Sequence, residues 1–128
     1  MRFIVALISL IIITINPTSA STTEAKHEEA VIIHFKYGQK DWSSFYDFEK
    51  TLESAISKAA VGEYDGNELA TDGSDGTMYM YGPSADALFA VVKPQLLGVQ
   101  ILKSINVTLL YGAVTEPGVR VSRIQLTP

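Results

Sequence analysis

The sequence predicts an α+β domain in which two helices cover one face of a mostly antiparallel sheet. Three observations carry this expectation. Short β-branched and aromatic runs alternate with two segments of helical period, Asp/Gly and Gly/Pro clusters separate them, and no segment repeats. "AVIIHFKY", Ala30–Tyr37, alternates Val31, Ile33, Phe35 and Tyr37 against Ile32, His34 and Lys36, which is a strand, and Gly38 ends it. From about Ser44 to Ala60 the period lengthens, and Phe45, Phe48, Leu52, Ile56 and Ala59 line one helical stripe. Asp41, Ser43 or Ser44 can cap this helix and Gly62 can stop it. A short second strand is expected around Glu68 to Thr71, a hairpin turn at "DGSDG" (Asp72–Gly76), and a third strand over Thr77–Tyr81.

Gly82-Pro83-Ser84 then opens a second helix, with Ser84 as N-cap, Asp86 in the first turn and Ala85, Leu88, Phe89, Val92 and Leu96 as its buried stripe. Pro94 should kink it and Gly98 end it. Ile105–Gly112 and Val119–Leu126 supply two more strands around the turn Thr115–Gly118, "TEPG". The order is βαββαβ with an added C-terminal strand, a ferredoxin-like split βαβ arrangement.

The first twenty residues carry a different signal. Arg2 precedes an apolar run from Phe3 to Ile15, and Thr18-Ser19-Ala20 supplies small residues at a cleavage position. The run is shorter than the ~20 apolar residues a membrane span needs, so a secretory signal cleaved between Ala20 and Ser21 is expected. Residues 21–29 are polar and patternless and read as a disordered lead-in, leaving residues 30–128 as one domain. Removal of the first 20 of 128 residues leaves 108, with a formal charge that falls from −4 to −5 as Arg2 is lost. An acidic chain with no basic run is a poor match for nucleic acid or for anionic lipid. With no cysteine, an exported domain must rely on its apolar core alone. A periplasmic or secreted location follows from the leader.

The densest polar stretch is "GEYDGNELATDGSDG", Gly62–Gly76. An EF-hand started at Asp65 meets Leu69 and Ala70 at its fifth and sixth positions, and one started at Asp72 meets Gly76 at its fifth, so neither fits. Asp65, Gly66 and Glu68 are therefore expected to form a structural turn, with Asp65 closing an Asx-type turn and Gly66 at positive φ. The opposing reading is a small metal-dependent hydrolase built from Asp65, Glu68 and Asp72. His27 lies in the polar lead-in and His34 on the first strand, and no other histidine and no cysteine is present to complete a zinc set. Nucleophile-elbow, zinc-protease and phosphate-loop motifs are absent, so no catalytic residue, no metal and no cofactor is assigned.

Gly62-Glu63-Tyr64-Asp65-Gly66-Asn67-Glu68, followed by Tyr81-Gly82-Pro83-Ser84-Ala85-Asp86 and by Tyr111-Gly112, resembles a pattern found in small uncharacterised bacterial proteins. There a Gly-x-x-Asp-Gly-x-Glu turn precedes a hairpin, and a Tyr-Gly-Pro strand end precedes a helix opened by Ala-Asp. The resemblance spans about Ala30 to Leu126. It implies the same fold and brings no activity with it.

What remains is a surface. In "TMYMY", Met78 and Met80 share one face, and Thr77, Tyr79 and Tyr81 the other. If the methionines lie under the helices, Ile32, His34, Tyr79 and Tyr81, with Leu110, form an uncovered binding face. The reverse assignment buries the tyrosines instead. Trp42, just before the first helix, reads as a lid over the core, or, if exposed, as a binding hot spot. The function expected is an exported, non-catalytic binding or inhibitor- or immunity-like module that meets a protein partner through a sheet face or edge. A self-associating structural domain is the further alternative.

Overall fold

A computed structural model describes residues 28–127. The leader with its Ala20/Ser21 junction, His27 and most of the expected lead-in lie outside the described residues. Seven elements follow one another: β1 (Glu29–Lys36), α1 (Ser43–Ala59), β2 (Glu63–Leu69), β3 (Asp75–Gly82), α2 (Ala85–Leu97), β4 (Lys103–Leu110) and β5 (Val121–Leu126). The strands form one sheet in the order β2-β3-β1-β4-β5, with every neighbouring pair antiparallel. This is the ferredoxin-like α+β arrangement with an extra strand, β5, added beside β4. β1 stands at the centre.

One apolar core holds the layers together. Val31, Ile33 and Phe35 of β1, Met78 and Met80 of β3, and Ile105, Val107 and Leu109 of β4 point to the side carrying both helices. α1 meets them with Phe45, Phe48, Leu52 and Ile56, and α2 with Ala85, Leu88, Val92 and Leu96. Among the described residues no polar or charged residue is buried. The 3.6-residue period thus selects the same stripes in the sequence and in the fold, with two exceptions. Ala59, the last residue of α1, is exposed, and Phe89 is only half-buried.

Helix ends follow local chemistry. Ser84 Oγ accepts the Ala87 N–H (3.1 Å), as an N-cap should, and the Glu29 carboxylate accepts the Ala85 N–H at 2.5 Å. The first residue of β1 therefore helps to cap α2, and Glu29, expected in the lead-in, belongs to the strand. At the start of α1 the first residue outside the helix is Trp42, which offers no side-chain cap, and Asp41 Oδ1 accepts from Ser43 N (2.9 Å) and Ser43 Oγ (2.6 Å) instead. Those two bonds hold the Asp41 carboxyl below the usual carboxylate range. α2 runs on to Leu97 past Pro94, and the Gly98 N–H returns to the Pro94 carbonyl (3.1 Å).

β2 corrects the reading of Asp65, Gly66 and Glu68 as a turn. All three lie within this edge strand, paired to β3, with a bulge between Tyr64 and Gly66. Gly66 does take a positive φ, +116°, but as part of the bulge. The Asx turn belongs to the hairpin loop: Asp72 Oδ1 accepts the Ser74 N–H at 3.0 Å, and Gly73 sits at φ +77°. The strand was hidden because its side toward α1 carries polar groups as well as apolar ones and its other side is acidic. Tyr64 Oη (2.6 Å) and Asn67 Nδ2 both donate to Glu49 Oε2 on α1, while Glu63, Asp65 and Glu68 face solvent. Burial and the adjoining Glu49 carboxylate push the Tyr64 phenol up.

Candidate functional site

With both helices on one side, the described residues leave the other side of the sheet uncovered, and register places its residues in rows across the five strands. One row runs Glu63, Tyr81, Ala30, Leu110 and Val121 from β2 to β5. The next runs Gly66, Tyr79, Ile32, Thr108 and Arg123, and a third Glu68, Thr77, His34, Asn106 and Gln125. Ile32, His34, Tyr79 and Tyr81 therefore share this face, and Met78 and Met80 lie on the other side with the helices. Of the two assignments that alternation leaves open, the fold adopts the one with the tyrosines outward.

The patch is partly self-covered. Ala30 is fully buried although it lies on the uncovered side, between Tyr81 and Leu110 in its row. Ile32, Tyr79, Tyr81 and Leu110 are half-buried, and Val121 at the end of the first row is 40% exposed. Broad side chains on neighbouring strands pack side by side here. Tyr79 Oη donates to Glu68 Oε2 (3.2 Å), and desolvation, with that carboxylate, raises its phenol above the ordinary range. His34 Nε2 pairs with Asp75 Oδ2 at 3.1 Å across the β1–β3 ladder, with side chains 42% and 37% exposed. The phenol and imidazole are thus held in place while remaining reachable from solvent.

Beside the patch, an open cleft of about 820 Å³ is lined by Glu28, Glu63, Asp65 and Tyr81 together with Ala60, Gly62, Gly82 and Pro83. At its wall the segment leading into β2 lies hard against the end of β3: a Cβ on Gly62 would fall 2.2 Å from the Tyr81 carbonyl oxygen. The Gly-x-x-Asp-Gly-x-Glu and Tyr-Gly-Pro segments singled out in the sequence thus meet in space, along two paired strand ends. At the same end, Tyr111 Oη donates to Asp86 Oδ1 (2.6 Å) and Arg120 lies 4.0 Å over the Tyr111 ring. The Asp86 bond, more than burial, lifts the Tyr111 phenol.

The carboxylates considered for metal chemistry are dispersed. Glu68 bonds Tyr79 on the uncovered face, Asp65 is in the bulge beside the cleft, and Asp72 is in the hairpin loop. Among the described residues, no group of three or more His, Cys, Asp and Glu side chains could hold a metal ion. Trp42 is half-buried and stacks on Tyr37 (ring centroids 4.2 Å apart, planes at 7°), edge-on to Phe45, which makes it a lid over one end of the core.

Sequence reading did not find Glu49, Glu29 or the Tyr111–Asp86–Arg120 cluster. A glutamate on an exposed helical face carries no local mark of its partner, which here comes from a strand fifteen residues later. No helix among the described residues is long and apolar enough to cross a membrane. No family model, curated protein or solved structure matches the chain.

Proposed function

We propose that this chain is an exported, non-catalytic protein-binding module that acts through its uncovered sheet face. The observation that carries the reading is the side-by-side placement of Ile32, Tyr79, Tyr81 and Leu110 on the side of the sheet without helices. Phenol rings bury large area at low entropic cost and keep a polar tip, which suits an interface that must also be stable in water. The glutamate and aspartate side chains around Tyr79 and His34 hold those rings in fixed orientations before any partner arrives, and pre-ordering lowers the cost of binding. An inhibitor- or immunity-type role asks nothing more of a small domain than such a face.

The test is binding of the exported protein, immobilised, to partners from its native compartment, compared among wild type, Tyr79→Ala and Tyr81→Ala. Each truncation should weaken binding by about 2 kcal/mol, roughly thirtyfold in Kd, with the variant still folded at the temperature of the assay. Undiminished binding by both variants would remove the face from the function.

Export itself rests on the leader. N-terminal sequencing of the same preparation should begin at or within a few residues of Ser21, and intact Met1 in the membrane fraction would contradict it.

A further inference from the structure

The charges around the uncovered face are segregated by strand. Glu63, Asp65 and Glu68 lie on β2 and Asp75 on β3, whereas Lys103 lies on β4 and Arg123 on β5. All but the half-buried Asp75 are exposed. The face is thus acidic at one edge and basic at the other, with Ile32, Tyr79, Tyr81 and Leu110 between the edges and Lys36 at one end of β1. From this polarity we infer that the occupant of the face is a second copy of this chain, related by a two-fold axis lying in the interface along β1. The inference rests on the reading of this face as a protein-binding surface and names the protein.

Geometry selects that axis. β1 is the third of five strands, so rotation about it exchanges β2 with β5 and β3 with β4. The acidic edge of each copy then lies over the basic edge of the other. Before sheet twist is applied, Tyr81 meets the second copy's Leu110, Tyr79 meets its Thr108, and the bulge beside Asp65 meets its Arg123. Asp75 meets Lys103 in the same way. Ile32 lies on the axis against its own counterpart. His34 and Lys36 also lie on it, and Lys36 stands opposite Asp75 within its own sheet, which offsets the like charge of its counterpart. An axis across the strands would instead stack β2 on β2 and β5 on β5, opposing carboxylate to carboxylate.

The area is adequate for a modest dimer. Five strands about 4.8 Å apart and six paired residues long give a face of roughly 24 by 20 Å, or on the order of 1,000 Å² for the two copies together.

Two edge-charge variants test the inference at exposed positions. Arg123→Glu gives β5 the acidic charge of β2, and Asp65→Lys/Glu68→Lys gives β2 the basic charge of β5. Sedimentation equilibrium of the protein recovered after export should show a dimer for wild type. Each variant alone should dissociate about tenfold or more readily, while an equimolar mixture should restore a dimer containing one of each. Restoration also shows that both variants are folded. A wild-type protein that stays monomeric at high micromolar concentration overturns the second copy as occupant, as does a dimer indifferent to both variants. The face as a binding surface then stands or falls separately, on the Tyr79→Ala and Tyr81→Ala binding comparison.

Discussion

Gly73→Ala is expected to cost about 3 kcal/mol of folding stability or more. Gly73 sits at φ +77°, where a Cβ carries roughly 1–2 kcal/mol of strain. That atom would also lie 1.9 Å from the Gln39 carbonyl oxygen and 2.6 Å from its carbon. Backbone cannot yield as a side-chain tip can, so the β2–β3 hairpin loop must lift from the loop after β1. Two hydrogen bonds tie those loops together, Gly38 N to Gly73 O at 2.8 Å and Tyr37 N to Ser74 O at 3.0 Å, and each contributes about 1 kcal/mol. Gly38 provides the control. It has a similar φ, +76°, but nothing within 4 Å of a Cβ, so Gly38→Ala should show the strain alone. Urea denaturation of the pair decides it. Equal losses would mean that the docked loops contribute nothing.

The other large loss is expected from Phe45→Ala, at about 3–5 kcal/mol. Phe45 is fully buried, stacked on Phe35 with ring centroids 5.3 Å apart and meeting Trp42 edge-on at 5.6 Å. Removing its ring opens a cavity beneath Trp42, the chain's one tryptophan, so the fluorescence of the folded variant should shift to the red as well. Tyr79→Ala and Tyr81→Ala, on the half-buried side, should lose less than half as much. If they melt as low as Phe45→Ala, those rings hold the fold together and the binding surface lies elsewhere.

The core was readable in the sequence because its residues obey one period at a time. Val31, Ile33 and Phe35 alternate, and Phe45, Phe48, Leu52 and Ile56 recur at helical spacing, so each element declares which residues share a side. β2 declares nothing of the kind. Tyr64 and Asn67 turn toward α1, the bulge at Asp65 breaks the alternation between them, and the remaining side chains are acidic, so the strand looked like loop chemistry. The uncovered face was half readable: alternation pairs Tyr79 with Tyr81 and Ile32 with His34, but only helix placement decides which member of each alternating set meets water. The cleft beside Tyr81 and the tie from Glu29 to α2 join segments tens of residues apart, and neither leaves a local trace.

The bulge in β2 has a bearing on solubility. An edge strand with a straight row of free amides and carbonyls invites another chain to add itself, and repetition of that step produces fibrils. Here the extra residue between Tyr64 and Gly66 throws the ladder out of step, and the exposed Glu63, Asp65 and Glu68 repel a like strand. At the opposite edge β5 spans only six residues and presents Arg123 in its middle. Neither border offers a flat template for endless strand addition. Open-ended growth of the sheet from one molecule to the next is therefore disfavoured at both borders.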